Sequence, residues 1–254
     1  MRETQNHETI GCAECTKGVG LEFDFTMAFQ PIVNTTSKEV FAQEALVRGM
    51  NEEPAGEILG RINDGNRYRF DQACRVEAVQ LAAKLNIQSF ISINFLPNAV
   101  YNPESCIRTT IEAAETFGFP TNRIIFEVTE GEQVTDHVHL REVLQYYRKR
   151  GFLTAIDDFG AGYAGLNLLA DFQTDLVKLD MGLIRNIDQI KSRQAIVKGM
   201  TQVCNDLGIK VIAEGVETYE ELSILQSFGI ELFQGFYFAK PKFQGLATIN
   251  NLQK

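Results

Sequence analysis

The sequence predicts an α/β fold in which eight strands and the helices between them close into a modified TIM (β/α)8 barrel with an antiparallel first strand. Its short apolar runs are separated mostly by helix-length segments, the pattern of parallel strands joined by helices. Most runs are uniformly apolar, as expected of strands that are buried on both faces. Glycines stand where four helical segments end, at Gly118, Gly151, Gly208 and Gly229.

The predicted elements follow one another along the chain without an intervening linker. In chain order, the predicted strands are residues 27–33, 40–48, 90–94, 124–128, 153–157, 176–179, 210–214 and 231–234. The predicted helices are residues 71–84, 104–117, 132–150, 187–207 and 219–228. The first of these helices has an apolar stripe at helical spacing, suited to packing on the barrel wall. Only residues 34–39 join the first two strands, which is too short for a crossover helix, so we expect an antiparallel pair.

Length, composition and charge limit the class of protein. With 254 residues, 44% of them hydrophobic, the chain has the size of one α/β barrel. Residues 1–20 are polar and aperiodic, which predicts a flexible leader before one domain over residues 21–254. The formal charge of −9 argues against binding a nucleic-acid polymer. We find no apolar run of membrane-span length and no signal peptide, so we expect a cytoplasmic protein that binds no membrane.

The cysteines and histidines do not predict a metal centre in the barrel. Five cysteines without a secretory signal suit reduced thiols. Cys12 and Cys15 form a lone CxxC motif in the leader, which is either a metal or redox site or an incidental pair. None of the three histidines falls at the end of a predicted strand, which argues against a histidine-built zinc site.

Polar residues able to bind a metal ion or a phosphate stand at the ends of the predicted strands. They are Glu44, Asn94, Glu127, Asp157, Asp158, Lys178, Glu214 and Gln234. The carboxyl ends of barrel strands meet at one rim, where the active sites of barrel enzymes lie. Carboxylate and amide oxygens suit Mg²⁺ or Mn²⁺, and crowded carboxylates repel one another unless a cation neutralises them. The pattern therefore predicts a metal-dependent phosphoester site.

Taken one at a time, several of these residues also allow a structural interpretation. A strand glutamate such as Glu44 is usually a solvated edge residue, and Asp158 could cap a helix. Lys178 could reach the rim by its aliphatic stem, although a buried ammonium needs a partner. The adjacent Asp157 and Asp158 could instead serve two ions about 3.5–4 Å apart. The glycine-rich segment 159–165 permits an unusual backbone path but is weak evidence for phosphate binding.

Eight short motifs occur in the order typical of one enzyme family. They are Gln30-Pro-Ile-Val33, Glu44-Ala-Leu-Val-Arg48, Ser92-Ile-Asn94, Glu127-Val-Thr-Glu130, Asp157-Asp-Phe-Gly160, Lys178-Leu-Asp180, Ala213-Glu-Gly-Val-Glu217 and Gln234-Gly-Phe-Tyr-Phe238. Over residues 26–241 the chain thus resembles the EAL family of cyclic di-GMP phosphodiesterases. The resemblance implies hydrolysis of cyclic di-GMP to linear pGpG with two Mg²⁺ or Mn²⁺ ions, inhibition by Ca²⁺, and a homodimer.

The resemblance also implies a role for each motif residue. The implied metal ligands are Glu44, Asn94, Glu127, Asp157, Asp158, Glu214 and Gln234. The implied catalytic residues are Glu44, Lys178 and Glu214, with Lys178 contacting the attacking water. The implied substrate-binding residues are Gln30, Leu46 and Arg48, whose guanidinium fork suits a phosphate. Glu130 and Glu217 are implied to anchor the glycine-rich loop.

Two positions depart from the family pattern. Ala164-Gly165 stands where many members have Ser-Ser, so two hydroxyls are lost, which affects loop anchoring and its coupling to dimerisation. Gly49 follows Arg48 in place of a large residue, which bears on the guanine pocket. Two alternatives remain beside the phosphodiesterase. One is a catalytically silent module that binds cyclic di-GMP and acts through a protein partner; the other is a structural interaction protein that binds no nucleotide.

Overall fold

A computed structural model of the chain describes residues 21–100, 103–129, 137–162 and 165–252. Its strands are β1 (Phe25–Asn34), β2 (Glu39–Gly49), β3 (Phe90–Phe95), β4 (Ile124–Thr129), β5 (Leu153–Phe159), β6 (Leu176–Leu179), β7 (Lys210–Ala213), β8 (Leu232–Phe233) and β9 (Lys242–Phe243). Its α-helices are α1 (Ala55–Leu59), α2 (Arg67–Lys84), α3 (Pro103–Phe117), α4 (His137–Lys149), α5 (Gly165–Asp171), α6 (Met181–Ile184), α7 (Lys191–Asp206) and α8 (Tyr219–Ser227). The predicted leader, with Cys12 and Cys15, lies outside the described residues.

The first eight strands form a closed sheet. Its order is β2-β3-β4-β5-β6-β7-β8-β1, and β1 pairs with β2 to close the barrel. Neighbouring strands from β2 to β8 are parallel, whereas β1 is antiparallel to both β2 and β8. The prediction of a modified TIM barrel with an antiparallel first strand is therefore confirmed. The short β9, which was not predicted, pairs with β1 at Ala28 and Phe29.

The helix boundaries differ from the predicted ones where a turn ends the regular pattern. Helix α7 begins at Lys191 rather than at residue 187. Asn186 has a left-handed backbone (φ 55°), and its carbonyl accepts the N–H groups of Gln189 and Ile190 in a tight turn. The start predicted for the helix ending near residue 150 falls at residue 132, outside the described residues, and the described part begins at His137.

The barrel interior consists of an apolar layer below a polar one. The apolar layer contains Ile32, Ala42, Ile125, Ala155, Leu176, Ile212 and Leu232. Successive inward positions on a strand are two residues apart. The next inward residues toward the carboxyl ends are therefore Glu44, Glu127, Asp157, Lys178, Glu214 and Gln234. On the antiparallel β1 the equivalent residue is Gln30, which precedes Ile32.

A larger apolar core lies between the outer face of the strands and the surrounding helices. This core includes Phe95, Phe126 and Tyr147, all nearly inaccessible to solvent. Because both faces of the strands are covered, the polar layer at the rim rests on a rigid support. Within the described ranges, no helix combines the length and the apolar content needed to cross a bilayer.

Candidate active site

The centre of the site is the ammonium group of Lys178, which is almost completely buried. Its Nζ lies 2.8 Å from Asp157 Oδ1, 2.8 Å from Glu214 Oε1, 2.9 Å from Glu127 Oε2 and 3.5 Å from Glu44 Oε1. Burial by itself would lower the pKa of Lys178, but the four carboxylates outweigh it and hold that pKa well above its ordinary value. Lys178 therefore carries a positive charge, and its alternative as a lysine that merely extends to solvent does not apply.

Two side-chain amides hold the carboxylate of Glu44 from both sides. Asn94 Nδ2 donates to Glu44 Oε1 at 3.2 Å, and Gln234 Nε2 donates to Glu44 Oε2 at 2.6 Å. Gln234 Nε2 also donates to Gln30 Oε1 at 3.2 Å, and Gln30 Nε2 donates to the carbonyl of Ala239 at 3.1 Å. Glu44 is therefore a buried and oriented carboxylate rather than a solvated edge residue.

The amide oxygens opposite these contacts are unsatisfied. Asn94 Oδ1 and Gln234 Oε1 are buried and accept no hydrogen bond from any residue that the structure describes. A buried carbonyl oxygen without a partner costs about 1–3 kcal/mol, so such atoms call for an explanation. Both oxygens belong to predicted metal ligands, and amide oxygens are among the ligands that hard divalent cations accept. The residues present thus fit a metal site.

The carboxylates of the site carry more negative charge than Lys178 can balance. Burial raises the pKa of Glu127 to about 8 against the opposing effect of Lys178, and Glu44 and Asp157 raise it further. Burial also raises the pKa of Glu214 well above its ordinary value. Burial and the neighbouring Asp157 raise the pKa of Asp158 to about 6. Each raised pKa means that the ionised carboxylate is disfavoured, so a positive charge close to it would stabilise that ionised form.

The acidic residues form two groups that share one member. Glu44, Glu127 and Asp157 can direct one ligand atom each to a common point, and so can Asp157, Asp158 and Glu214, with the atoms of each group within 4.8 Å of one another. Fully ionised, these five carboxylates and Lys178 carry a formal charge of −4, which two divalent cations would neutralise. Two adjoining sites joined by a shared carboxylate are typical of two-metal phosphoester chemistry.

Glu127 on β4 and Asp158 on β5 are each restrained further, Glu127 by a hydrogen bond and Asp158 by its backbone conformation. Ser92 Oγ donates to Glu127 Oε1 at 2.5 Å, and both side chains are completely buried. Asp158 is a non-glycine residue with a left-handed backbone (φ 53°). Such a conformation costs about 1–3 kcal/mol and is concentrated at functional sites. In this conformation the Asp158 carboxylate can direct an oxygen to the same point as Asp157 and Glu214.

The predicted substrate-binding residues occupy different surroundings. Leu46 lines a cavity of about 380 Å³ that opens on Glu44, Asn94 and Asp157. Arg48 is partly buried, which lowers its pKa, and its Nη1 donates to the carbonyl of Val47 at 2.7 Å. Gln30 instead contacts Gln234 and Ala239. Gly49 faces Glu53 so closely that an added Cβ would lie 2.2 Å from Glu53 Oε2.

The two residues predicted to anchor the glycine-rich loop are only partly described. Glu130 and Ala164 lie outside the described residues. Glu217 pairs with Arg185 through both carboxylate oxygens, at 2.7 Å from Nη2 and 2.5 Å from Nη1. This contact connects the loop after β7 with the end of α6.

Ser92 was part of a motif in the sequence but received no role there. Its position could have been deduced, because Ser92 precedes Asn94 by two residues and therefore points into the barrel beside it. The hydrogen bond that makes it important reaches across to Glu127 on the next strand. That partner depends on the register between β3 and β4, in which Ser92 lies opposite Ile125 and Asn94 opposite Glu127.

Comparison with known families gives a direct match. The family model described as "EAL domain" matches residues 21–241, which is most of the chain. The chain belongs to the EAL domain family. The match covers every strand from β1 to β8 and all residues of the polar layer.

Two curated bacterial proteins illustrate the range of EAL relatives. The blue light- and temperature-regulated antirepressor BluF of Escherichia coli K12 is 36% identical over 223 residues, which are 87% of this chain and 55% of BluF. The cyclic di-GMP phosphodiesterase PdeB of Shewanella oneidensis is 31% identical over 233 residues, which are 87% of this chain and 27% of PdeB. The chain thus spans about half or less of the length of these relatives.

Solved EAL structures have the same fold. A standalone versatile EAL protein from Vibrio cholerae O395, in a form bound to cyclic di-GMP, is 56% identical with a TM-score of 0.90, covering 92% of this chain and 100% of that one. BlrP1 of Klebsiella pneumoniae, in a manganese and cyclic di-GMP complex, is 40% identical with a TM-score of 0.84, covering 89% of this chain and 58% of that one. BlrP1 is also known in a calcium and cyclic di-GMP complex.

Proposed function

We propose that this chain is a cyclic di-GMP phosphodiesterase that hydrolyses one phosphodiester bond of the cyclic dinucleotide to give linear pGpG, with two Mg²⁺ or Mn²⁺ ions. The observation that carries the proposal is that two sets of three acidic residues share Asp157, which contacts the buried Lys178. The unpaired amide oxygens of Asn94 and Gln234 support it, because they complete a ligand set of oxygen atoms.

The proposed metal ligands divide between the two groups. Glu44, Glu127 and Asp157, with the oxygens of Asn94 and Gln234, would hold one ion. Asp157, Asp158 and Glu214 would hold the second. When bound, the two ions would acidify a water molecule and offset the charge on the reacting phosphate.

The remaining roles belong to side chains of the chain itself. In the reaction, a water oxygen forms a bond to phosphorus, the bond from phosphorus to the 3′ oxygen breaks, one water proton is lost and the 3′ oxygen gains one. Lys178, held among carboxylates, would orient the water and stabilise negative charge near it. Arg48 would bind a substrate phosphate, for which it would leave the carbonyl of Val47. Leu46 would contact the nucleotide in the cavity that it lines.

The activity is tested by incubating the purified, Mg²⁺- or Mn²⁺-loaded protein with cyclic di-GMP and separating the products by chromatography. We expect pGpG from the wild type and near-total loss in Glu44→Ala. Glu39→Ala is a matched control, because Glu39 is an exposed residue of the same type on the same strand. A loaded wild-type protein that binds the dinucleotide without cleaving it would reject the proposal.

A catalytically silent sensor is the second candidate, and one observation favours it. The relative BluF, 36% identical, is described as an antirepressor rather than as a phosphodiesterase. Calorimetric titration with cyclic di-GMP in Ca²⁺, followed by exchange into Mg²⁺, separates the candidates. Binding in Ca²⁺ followed by turnover in Mg²⁺ supports the enzyme and an inhibitory effect of Ca²⁺, whereas binding without turnover in either ion supports the sensor.

We also propose that the protein acts as a homodimer in the cytoplasm. The support is the resemblance of its motifs to those of the EAL family, in which the glycine-rich loop after β5 is coupled to dimerisation. Light scattering coupled to size-exclusion chromatography would give twice the chain mass of 28.5 kDa if the proposal is correct and the single chain mass if it is wrong.

A further inference from the structure

A second buried charge lies behind the barrel wall, outside the polar layer. Arg75 on α2 is completely inaccessible to solvent, and its Nη2 lies 2.7 Å from Asp71 Oδ2, one helical turn earlier. Arg75 Nη1 donates to the hydroxyl of Tyr147 on α4 at 2.9 Å. A buried ion pair seldom adds net stability over apolar residues of the same size, so its presence invites a specific explanation.

Asp71 also contacts the chain at the point where a predicted metal ligand leaves the barrel. The backbone N–H of Leu96 donates to Asp71 Oδ1 at 2.8 Å. Leu96 lies directly after the end of β3 and two residues after Asn94. The hydrogen bond therefore holds the backbone directly after β3 against α2.

Arg75 reaches the same region through aromatic side chains. Its guanidinium carbon lies 5.5 Å from the ring centroid of Phe95 and 5.1 Å from that of Phe126. Phe95 is the outward neighbour of the inward-facing Asn94, and Phe126 is the outward neighbour of the inward-facing Glu127. Both rings are buried and meet edge to face at 6.0 Å.

The geometry points to a positioning role: we infer that the Asp71–Arg75 pair orients the ends of β3 and β4 so that Asn94 and Glu127 meet at the metal site. Arg75 holds the position of Asn94 through its contact with the neighbouring Phe95, and that of Glu127 through its contact with the neighbouring Phe126. The hydrogen bond from Leu96 to Asp71 restrains Asn94 further. This inference rests on the metal site of the proposed function.

Two double variants separate the positioning role from a general effect on stability. Asp71→Leu with Arg75→Met replaces the pair by apolar residues of similar size and leaves no buried charge, but it removes the acceptor for the Leu96 N–H. Asp71→Asn with Arg75→Met differs only at residue 71 and keeps an acceptor there. Val197→Ala, at a fully buried position on α7, provides a variant of reduced thermal stability away from the network.

Mn²⁺ affinity is measured without substrate, by calorimetry and by the electron paramagnetic resonance signal of free Mn²⁺. Because supporting contacts behind a metal ligand typically change affinity by about 10–100-fold, we expect a loss of about tenfold or more in Asp71→Leu/Arg75→Met. We expect Asp71→Asn/Arg75→Met to recover only the part of that loss that depends on the hydrogen bond to Leu96, the remaining loss reporting the contacts of Arg75 with Phe95 and Phe126. We expect Val197→Ala to bind as the wild type does. At saturating Mn²⁺, kcat should fall in the first variant; KM for cyclic di-GMP is not a criterion, because Asp71 also lines the cavity proposed for the nucleotide.

The outcomes distinguish this inference from the proposed function. Wild-type affinity in Asp71→Leu/Arg75→Met, or an equal loss in Val197→Ala, overturns the positioning role alone. If the wild type binds Mn²⁺ but does not cleave cyclic di-GMP, the proposed activity fails while the affinity series still supports or overturns the positioning role. If the wild type binds no Mn²⁺, both fail.

Discussion

Lys178 Nζ on β6 and Glu214 Oε1, directly after the neighbouring strand β7, lie 2.8 Å apart at the rim of the barrel. The same ammonium contacts Asp157 at 2.8 Å, so one lysine is shared by residues of both acidic groups. Lys178 therefore provides positive charge that allows these carboxylates to lie close to one another.

Removal of that charge should destabilise the metal-free protein. In Lys178→Met the buried carboxylates lose their shared partner, so we expect the free energy of unfolding to fall by about 3 kcal/mol or more. Added Mn²⁺ should reduce this difference, because it supplies positive charge to the same groups. Turnover should fall by about 100-fold or more even at saturating Mn²⁺. Urea unfolding with EDTA and with Mn²⁺, and the assay for pGpG, measure these effects.

Lys198→Met is the control for this substitution, because Lys198 is an exposed lysine on α7. It should change neither stability nor turnover appreciably. Equal unfolding curves for Lys178→Met and Lys198→Met in EDTA would contradict the charge-balancing role of Lys178.

The hydroxyl of Ser92 should fix the orientation of Glu127. Ser92→Ala removes the 2.5 Å hydrogen bond to Glu127 Oε1 and leaves a buried carboxylate oxygen with one partner fewer. We expect a loss of about 1–3 kcal/mol in the free energy of unfolding and weaker Mn²⁺ binding. Ser227→Ala removes a hydroxyl that donates to Ile224 O on the exposed face of α8 and serves as the control. Unchanged Mn²⁺ affinity in Ser92→Ala would show that Glu127 is oriented without it.

Gly235 allows the loops that carry Glu214 and Gln234 to touch. A Cβ at this position would lie 2.0 Å from the carbonyl oxygen of Val216, and Val216 N donates to Gln234 O at 3.1 Å. Gly235→Ala should therefore separate the loops that carry Glu214 and Gln234, with a loss of about 1–3 kcal/mol or more in stability and a large loss of Mn²⁺ affinity.

Gly199→Ala gives the opposite expectation and controls for the change from glycine to alanine. Gly199 lies within α7, and a Cβ there would meet nothing within 4 Å. Alanine should stabilise the helix by about 0.5–1 kcal/mol. If thermal unfolding showed both variants to be equally stable, the close approach at Gly235 would not constrain the site.

The metal-free protein should lose stability as the pH rises. Burial raises the pKa of Glu127 to about 8 and that of Asp158 to about 6, above their ordinary values of 4.5 and 3.8. Between the ordinary and the raised pKa of each group the folded state holds more protons than the unfolded state, so the free energy of unfolding decreases as the pH rises toward 8. The raised pKa of Glu214 acts in the same direction. Unfolding in EDTA at pH 5.5 and pH 8 measures the change.

Mn²⁺ should reverse this trend, since metal ions displace the protons and bind more tightly as the carboxyls ionise. Glu127→Gln provides the reference, because it removes the group with the larger shift without removing its side-chain volume. The pH dependence in EDTA should be smaller in Glu127→Gln than in the wild type. The same slope in both proteins would mean that Glu127 does not retain its proton in the folded state.

Much of the fold was predictable because its signals are local. The segment 176–179 was predicted as a strand with the boundaries that the structure has, since apolar side chains surround Lys178 on both sides. The short connection at residues 34–39 was enough to predict the antiparallel β1–β2 pair. The start of α7 was wrong because Asn186 adopts a left-handed backbone that apolar periodicity does not reveal.

The members of the site were predictable from the sequence because each stands at or near the end of a predicted strand. The sequence indicated that polar residues such as Glu44 stand at the ends of the strands, and the structure shows that Glu44 faces inward, as Ala42 does. The sequence did not indicate that Gln234 would donate to Gln30 across a separation of 204 positions, or that Asp71 would hold the end of β3. Those contacts arise only when the barrel closes and the helices pack on it.

By itself, the sequence thus determined the strands, the polar residues at their ends and the family motifs. The tertiary structure decided which of these residues meet: the four carboxylates around Lys178, the two amides on Glu44, and the ion pair behind Asn94 and Glu127. The physical reason is that side-chain direction depends on backbone geometry within a few residues, whereas each partner depends on the register and closure of strands distant in the chain.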